Sequence, residues 1–228
     1  MNCVYCEHPF IKVPSITELL LFKPISDHEL CLQCQKKFHL IDKSSVCSGC
    51  CREYPGNLCE DCKRWQSKYP AYPFSHTALF HYDSEMKQWF EEYKFKGNYA
   101  LSHTFSKEIS NFFKQKKNSL IIPLPLSQKR LAIRGFNQVE GILASAGVSY
   151  SDYLLRIRED KPQAQKSRLE RLSGEQPFVL KPEYESCLTN QAVFLVDDIY
   201  TTGRTLFYAS EIILKYPVKK LETFSLAR

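Results

Sequence analysis

The stretch Val193–Thr205, VFLVDDIYTTGRT, decides the fold. Val193, Phe194, Leu195 and Val196 make the short unbroken apolar run of a strand covered on both faces. Asp197 and Asp198 follow at the strand's carboxyl end, where open α/β sheets place their ligands. Thr201, Thr202, Gly203, Arg204 and Thr205 then lead into a helical pattern from Leu206 to Lys215. Such a loop aims backbone N–H groups and hydroxyls at a phosphate, on the positive end of a helix dipole. Two carboxylates beside it suit a sugar phosphate, accepting from ribose hydroxyls while the loop holds the 5′-phosphate. The bland alternative is an ordinary strand–turn–helix with a surface acid pair. Acids, threonines and glycine falling in this one order weigh against it.

Working outward, Ser75–Tyr82 reads as a strand and Ser84–Phe95 as a helix with Met86, Phe90 and Tyr93 on one face. Leu101, Phe105, Ile109 and Phe112 also recur at helical spacing, as core positions. Leu120–Ile122 is a short strand, followed by Pro123-Leu124-Pro125-Leu126, a basic loop SQKRLAIRGFNQ, and a helix over Asn137–Ala146. Further strands are expected at Tyr153–Leu155, Phe178–Leu180 and Leu221–Leu226. Strands alternating with helices imply a mostly parallel α/β sheet with helices on both faces.

Nine of the ten cysteines lie in the first 62 residues. Eight form four CxxC pairs: Cys3/Cys6, Cys31/Cys34, Cys47/Cys50 and Cys59/Cys62. Two such knuckles make a tetrahedral four-cysteine zinc site. The chain shows no secretory pattern, so the expected compartment is reducing and disfavours a disulfide scaffold. One or two structural Zn²⁺ ions are expected, with sequential pairing the simplest arrangement and cross-bracing also compatible with the spacing. Cys51 is an alternative to Cys50 as ligand. Cys187 is expected as a small buried hydrophobe, and His8, His28 and His39 as surface residues. Metal binding would be most of such a segment's folding energy. Pro70 and Pro73 mark a linker, giving a Cys-rich zinc-binding domain over 1–70 and an α/β domain over 71–228.

The chain's 228 residues are 43% hydrophobic, enough for a core, and no apolar run approaches membrane-spanning length. The expectation is a cytoplasmic protein without membrane insertion. The net charge of +6 permits nucleic-acid binding without requiring it.

VDDIYTTGRT resembles the phosphoribosyl-pyrophosphate (PRPP) signature of type I phosphoribosyltransferases. PLPLSQKRLAIRGFNQ, and YKFKG at Tyr93–Gly97, resemble stretches of the ComF family. Its members join cysteine zinc knuckles to a phosphoribosyltransferase-like domain, and the likeness runs from Cys3 to nearly the last residue. Relatives usually carry glycine after the third CxxC, where this chain has Cys51. The resemblance implies a type I phosphoribosyltransferase-like fold and a site for PRPP or ribose 5-phosphate, with Mg²⁺ on the pyrophosphate. Asp197 and Asp198 would hold ribose hydroxyls directly or through the hydrated ion, and Thr201, Thr202, Gly203, Arg204 and Thr205 the 5′-phosphate. Pro125–Gln128 is the matching pyrophosphate loop, to which Gln128, Lys129 and Arg130 offer an amide and two cations, with Arg134 closing over the ligand. No residue set reads a purine, a pyrimidine or ammonia. Binding of PRPP is therefore the firmer expectation, and transfer to an unidentified acceptor the alternative.

Single-stranded DNA is the second expected ligand. Lys94, Lys96, Arg156, Arg158, Lys166 and Arg168 are the candidate contacts, with Phe136, Tyr150 and Tyr153 lying between basic clusters. Basic grooves with interleaved aromatics suit single strands, although a charge run is more often a solvated face. The resemblance adds a role in DNA uptake during natural transformation, a ComFA-like helicase partner, and peripheral association with the uptake machinery.

Overall fold

The computed structural model describes residues 1–11, 30–116, 118–158 and 176–228. Four strands, β1 (His76–Phe80), β2 (Ser119–Pro123), β5 (Ala192–Ile199) and β6 (Lys220–Ala227), form one sheet in the order β1-β6-β5-β2. Every pairing in it is parallel. A separate antiparallel pair joins β3 (Leu154–Arg156) to β4 (Phe178–Leu180).

Alternation along β5 explains why helices cover both faces. Phe194 and Val196 enter a core with Trp89, Tyr93, Phe105, Ile109 and Ile142. Trp89 and Tyr93 come from α3 (Ser84–Lys94), Ile109 from α4 (Ser106–Lys114), which Phe105 N-caps, and Ile142 from α6 (Gln138–Ser145). Val193 and Leu195 point the other way, onto Leu206, Phe207, Ile212 and Ile213 of α7 (Arg204–Ile213). This two-sided burial is the reason the strand reads as a continuous apolar run. In α3 the buried Met86, Trp89, Phe90 and Tyr93 follow the helical period, and Asp83 caps the first turn by accepting from Met86 N at 2.9 Å. Gly141 in α6 leaves room for Tyr93, whose hydroxyl would lie 2.4 Å from a Cβ there. Tyr93 Oη instead donates to Gln138 O at 2.9 Å, locking α6 to α3.

Four sequence expectations need correction. β5 does not stop at Val196: β6 continues beside it, pairing Asp197 with Ser225 and Ile199 with Ala227, so both acids lie within the strand's last residues. The basic stretch after β2 is no loop. Gln128–Arg134 is a helix, α5, opened by Ser127, whose hydroxyl accepts from Arg130 N, and closed by Gly135 at φ 80°. Cys187 is exposed, in a short turn where Leu188 is the residue that turns inward. The aromatic stretch after α3 splits into a 3₁₀ turn, Tyr99–His103, and α4.

In the N-terminal part, two short helices, α1 (Leu32–Gln35) and α2 (Glu60–Lys68), begin directly after Cys31 and Cys59, which serve as their N-caps. Cys34 and Cys62 thus return in the first turn, facing their CxxC partners. Both cysteine groups pack on the α/β body. Cys3 and Cys34 share a core with Phe38, Phe80 and Phe105, while Cys47, Cys50, Cys59 and Cys62 share one with Tyr72, Phe74 and Phe207. Among the described residues no helix is long and apolar enough to cross a membrane.

Candidate sugar-phosphate cleft and cysteine tetrads

A cleft of about 670 Å³ opens at the carboxyl end of β5. Asp197, Asp198, Thr201 and Thr205 line it together with Arg130 and Arg134 of α5, Arg156 at the end of β3, and Lys94 and Lys96. Gly203 N-caps α7 at φ 78°, the left-handed conformation glycine adopts freely. A Cβ there would lie 2.2 Å from the Tyr200 hydroxyl, so both backbone and space require glycine. The α7 N-terminus has no side-chain cap and no acid in its first turn. Its N–H groups are therefore of the kind that take up an anion.

The acids are held differently. Asp198 is 7% exposed; its Oδ2 takes Lys94 Nζ at 2.7 Å and Gln138 Nε2 at 2.5 Å. Arg134 in turn donates to Gln138 Oε1, so one chain of contacts runs from α5 through α6 to β5 and α3. Asp197 Oδ1 accepts from the Asp198 N–H at 2.9 Å. Burial, with the Asp198 charge beside it, pushes the Asp197 carboxyl up to about 7. The pair thus presents one ion-paired carboxylate and one that titrates near neutrality.

The remaining predicted residues divide. Gln128, Lys129 and Arg158 line a neighbouring cavity of about 1010 Å³, which shares Pro125, Leu126 and Arg156 with the cleft and is walled by Tyr99, Phe136 and Tyr150. Thr202 faces the opposite side, in a pocket of about 230 Å³ with Trp65 and Arg228. Arg204 turns along α7, donating from Nε and Nη2 to Tyr208 Oη at 3.0 and 2.8 Å. Lys96 Nζ pairs with Glu92 at 2.6 Å, and Lys94 is directed into the cleft at Asp198. Lys166 and Arg168, with His28, lie outside the described residues. Gln138, which the sequence reading passed over, sits at the centre of the network; the Asn-Gln pair opening α6 was its only signal.

The eight knuckle cysteines form two tetrads in sequential pairing: Cys3, Cys6, Cys31, Cys34, and Cys47, Cys50, Cys59, Cys62. The sulfurs of each lie within 4.8 Å of one another. Tetrahedral Zn–S bonds of about 2.3 Å give S···S edges of about 3.8 Å. Cys6···Cys31 at 3.9 Å and Cys50···Cys59 at 3.7 Å match that edge. The protonation pattern fits as well. Hydrogen bonding from Cys62, against burial and aided by Arg228, pulls Cys50 down to about 4, while Cys62 is pushed far up. Burial raises Cys3, but backbone N–H groups outweigh it and bring it to about 6, with Cys34 pushed up. Four crowded thiols cannot all ionise without a cation, and Zn²⁺ would supply it. Cys51 stands outside the tetrad: its thiol donates to His76 O at 3.1 Å and accepts from Ala78 N at 3.3 Å. Its φ of 55° is the left-handed conformation natural to glycine.

A parallel sheet with helices on both faces, ending in this acid pair and phosphate-type loop, defines a phosphoribosyltransferase-like protein with an N-terminal four-cysteine part. The chain is 36% identical to competence protein ComFC of Streptococcus pneumoniae over the full length of both. It is 28% identical to competence protein ComFC of Bacillus subtilis, over 99% of this chain and 94% of that protein. Competence protein F of Haemophilus influenzae is 22% identical, over 87% of this chain and 96% of its own. The chain belongs to the ComF family of competence proteins. No protein-family model matches it. Among solved structures, hypoxanthine phosphoribosyltransferase from Staphylococcus aureus aligns at 17% identity and a TM-score of 0.31, over 54% of this chain and 65% of that one. The Trypanosoma cruzi enzyme aligns at 18% and 0.34, over 58% and 66%.

Proposed function

We propose that the cleft binds PRPP or ribose 5-phosphate with Mg²⁺, and that the protein handles single-stranded DNA in natural transformation alongside a ComFA-like helicase. The observation that carries the ligand is the placing of Asp197 and Asp198 between an uncapped helix N-terminus and the cations of α5 and β3. In this reading the first turn of α7, with the Thr201 and Thr205 hydroxyls, takes the 5′-phosphate. Asp197 and Asp198 take the ribose hydroxyls, and Arg130, Arg134 and Arg156 meet the pyrophosphate. Mg²⁺ arrives with the pyrophosphate and spreads its charge. The chain's competence relatives, Lys96 and the exposed Phe95 of the cleft, and Arg158 and the exposed Ile157 of the neighbouring cavity support the DNA half. We read residues 1–70 as the zinc-binding part and 71–228 as the sugar-phosphate domain on which it rests, with the protein acting in the cytoplasm.

Calorimetry of Mg²⁺·PRPP on the intact protein and on Asp197→Asn/Asp198→Asn tests this. Binding that the double variant loses supports the site; no binding by the intact protein removes the ligand half. The affinity should also rise with pH through about 7, because Asp197 must lose its proton before both its oxygens can accept from the ribose hydroxyls. Below that point affinity should fall about tenfold per unit, and Asp197→Asn should flatten the profile.

The neighbouring cavity favours a second reading, transfer of the phosphoribosyl group to an acceptor seated against Tyr99, Phe136 and Tyr150. Pyrophosphate release that requires both acids would establish it; none across a broad acceptor screen would leave binding alone.

A further inference from the structure

The second tetrad lies directly behind the phosphate loop. One pocket is lined by Cys50 and Cys62 on the tetrad side and by Tyr200, Thr201 and Thr202 on the loop side. Arg228 spans the two. Its Nε donates to Cys50 O at 2.7 Å, its Nη2 lies 3.5 Å from Cys50 Sγ, and its guanidinium stacks over the Tyr200 ring at 5.3 Å. Tyr200, 3% exposed, places its hydroxyl where a side chain at Gly203 would begin. The helix below the loop is clamped from the same direction, since Phe207 meets Trp65, Tyr69, Tyr72 and Phe74 at ring-centroid distances of 4.6 to 5.8 Å. The first tetrad has no such contact among the described residues. Its neighbours are Phe38 and Phe105, and its adjoining pocket is formed with Asn98 and Ala100.

We propose that the Cys47/Cys50/Cys59/Cys62 tetrad and the loop Tyr200–Thr205 are one linked element, joined by Arg228 and Tyr200 as positioning residues. Metal held by this tetrad orders the loop for a sugar phosphate, and sugar phosphate in the cleft retains the metal. Linkage makes the effect reciprocal. This rests on the sugar-phosphate reading for its ligand, while the link between metal and loop stands on the contacts alone. The first tetrad is the internal control, having the same ligand chemistry without the shared wall.

The test uses the zinc-loaded full chain. Chelator-driven zinc release is followed together with cysteine alkylation mapped by mass spectrometry, with and without saturating Mg²⁺·PRPP. Alkylation of Cys47, Cys50, Cys59 and Cys62 should slow about fivefold or more, and that of Cys3, Cys6, Cys31 and Cys34 should not change. Equal slowing at both tetrads, or none while calorimetry shows binding, overturns the proposal. A second arm needs no sugar phosphate. Arg228→Gln should speed hydrogen exchange in the peptide spanning 199–206 and zinc loss from the second tetrad only, with partial rescue by Arg228→Lys. Unchanged exchange in that peptide overturns the link. A protein that binds no PRPP yet shows the exchange effect keeps the link and loses the sugar-phosphate reading.

Discussion

The two cysteine tetrads share spacing and ligand chemistry but differ in surroundings. In the first, Cys6 and Cys31 are only partly buried, and Cys3 and Cys34 pack with Phe38, Phe80 and Phe105. In the second all four cysteines are buried, and Cys50 and Cys62 share a pocket with Tyr200, Thr201 and Thr202 of the loop after β5. The first ties its knuckles to the aromatic core around Phe105; the second forms part of the wall behind the candidate site. Identical motifs therefore carry different consequences, set by what lies within a few ångströms of each.

The largest expected difference comes from breaking each tetrad in turn. Structural zinc contributes about 10 kcal/mol or more in small knuckles, comparable to a whole domain's stability. Cys62→Ser should abolish both cooperative unfolding and cleft binding. Cys34→Ser should lower the melting temperature yet keep the cleft's affinity within about twofold. Circular dichroism melts and calorimetry check this, and equal loss of binding in both variants would erase the distinction. Phe207→Ala, at a fully buried ring shared with four aromatics of the second region, should cost about 4 kcal/mol in denaturant unfolding.

His76 sharpens the comparison through pH. It lies behind the second tetrad, bonded to Thr223 and Ser225 hydroxyls at 2.9 and 3.0 Å. Burial, with the Arg228 charge, holds it down to about 3 from an ordinary 6.5. Above pH 6.5 neither folded nor unfolded chain protonates it, and its contribution is complete. Below that, the unfolded chain takes a proton the fold refuses. Stability should fall by about 1.4 kcal/mol per pH unit until the pH reaches the folded value. His76→Gln should remove that slope in urea titrations. The smallest effect belongs to the first region: Asp83→Ala, losing the α3 cap and the His39 contact, should cost about 1 kcal/mol in the same measurement.

Much of this was legible in the sequence, for identifiable reasons. β5 and α7 announce themselves because an apolar run, two acids and a glycine needed at positive φ occur in strict order. The knuckles are legible because CxxC spacing is local. α5 reads as a loop in the sequence because none of its residues is buried, and Leu131 and Ile133 are exposed, so it has no apolar face to give it away. Its signal was chemical, Ser127 before it and Gly135 after it. The Lys94–Asp198 pair and the Arg228 bridge were out of reach, since they join positions that only the sheet order brings together.

The unlike holding of the two adjacent acids has a consequence for mutational selection. Under the sugar-phosphate proposal, replacing Asp198 by asparagine removes a ligand contact and also leaves the largely buried Lys94 ammonium without its counter-charge, so a survey of variants would find loss of function and loss of stability together. Replacing Asp197 relieves a carboxyl whose ionisation burial opposes, so the same survey would find function weakened while the fold gains. Two neighbours in one motif would then fall on opposite sides of the trade-off between activity and robustness, and a screen for abundance alone would retain changes at one and purge them at the other.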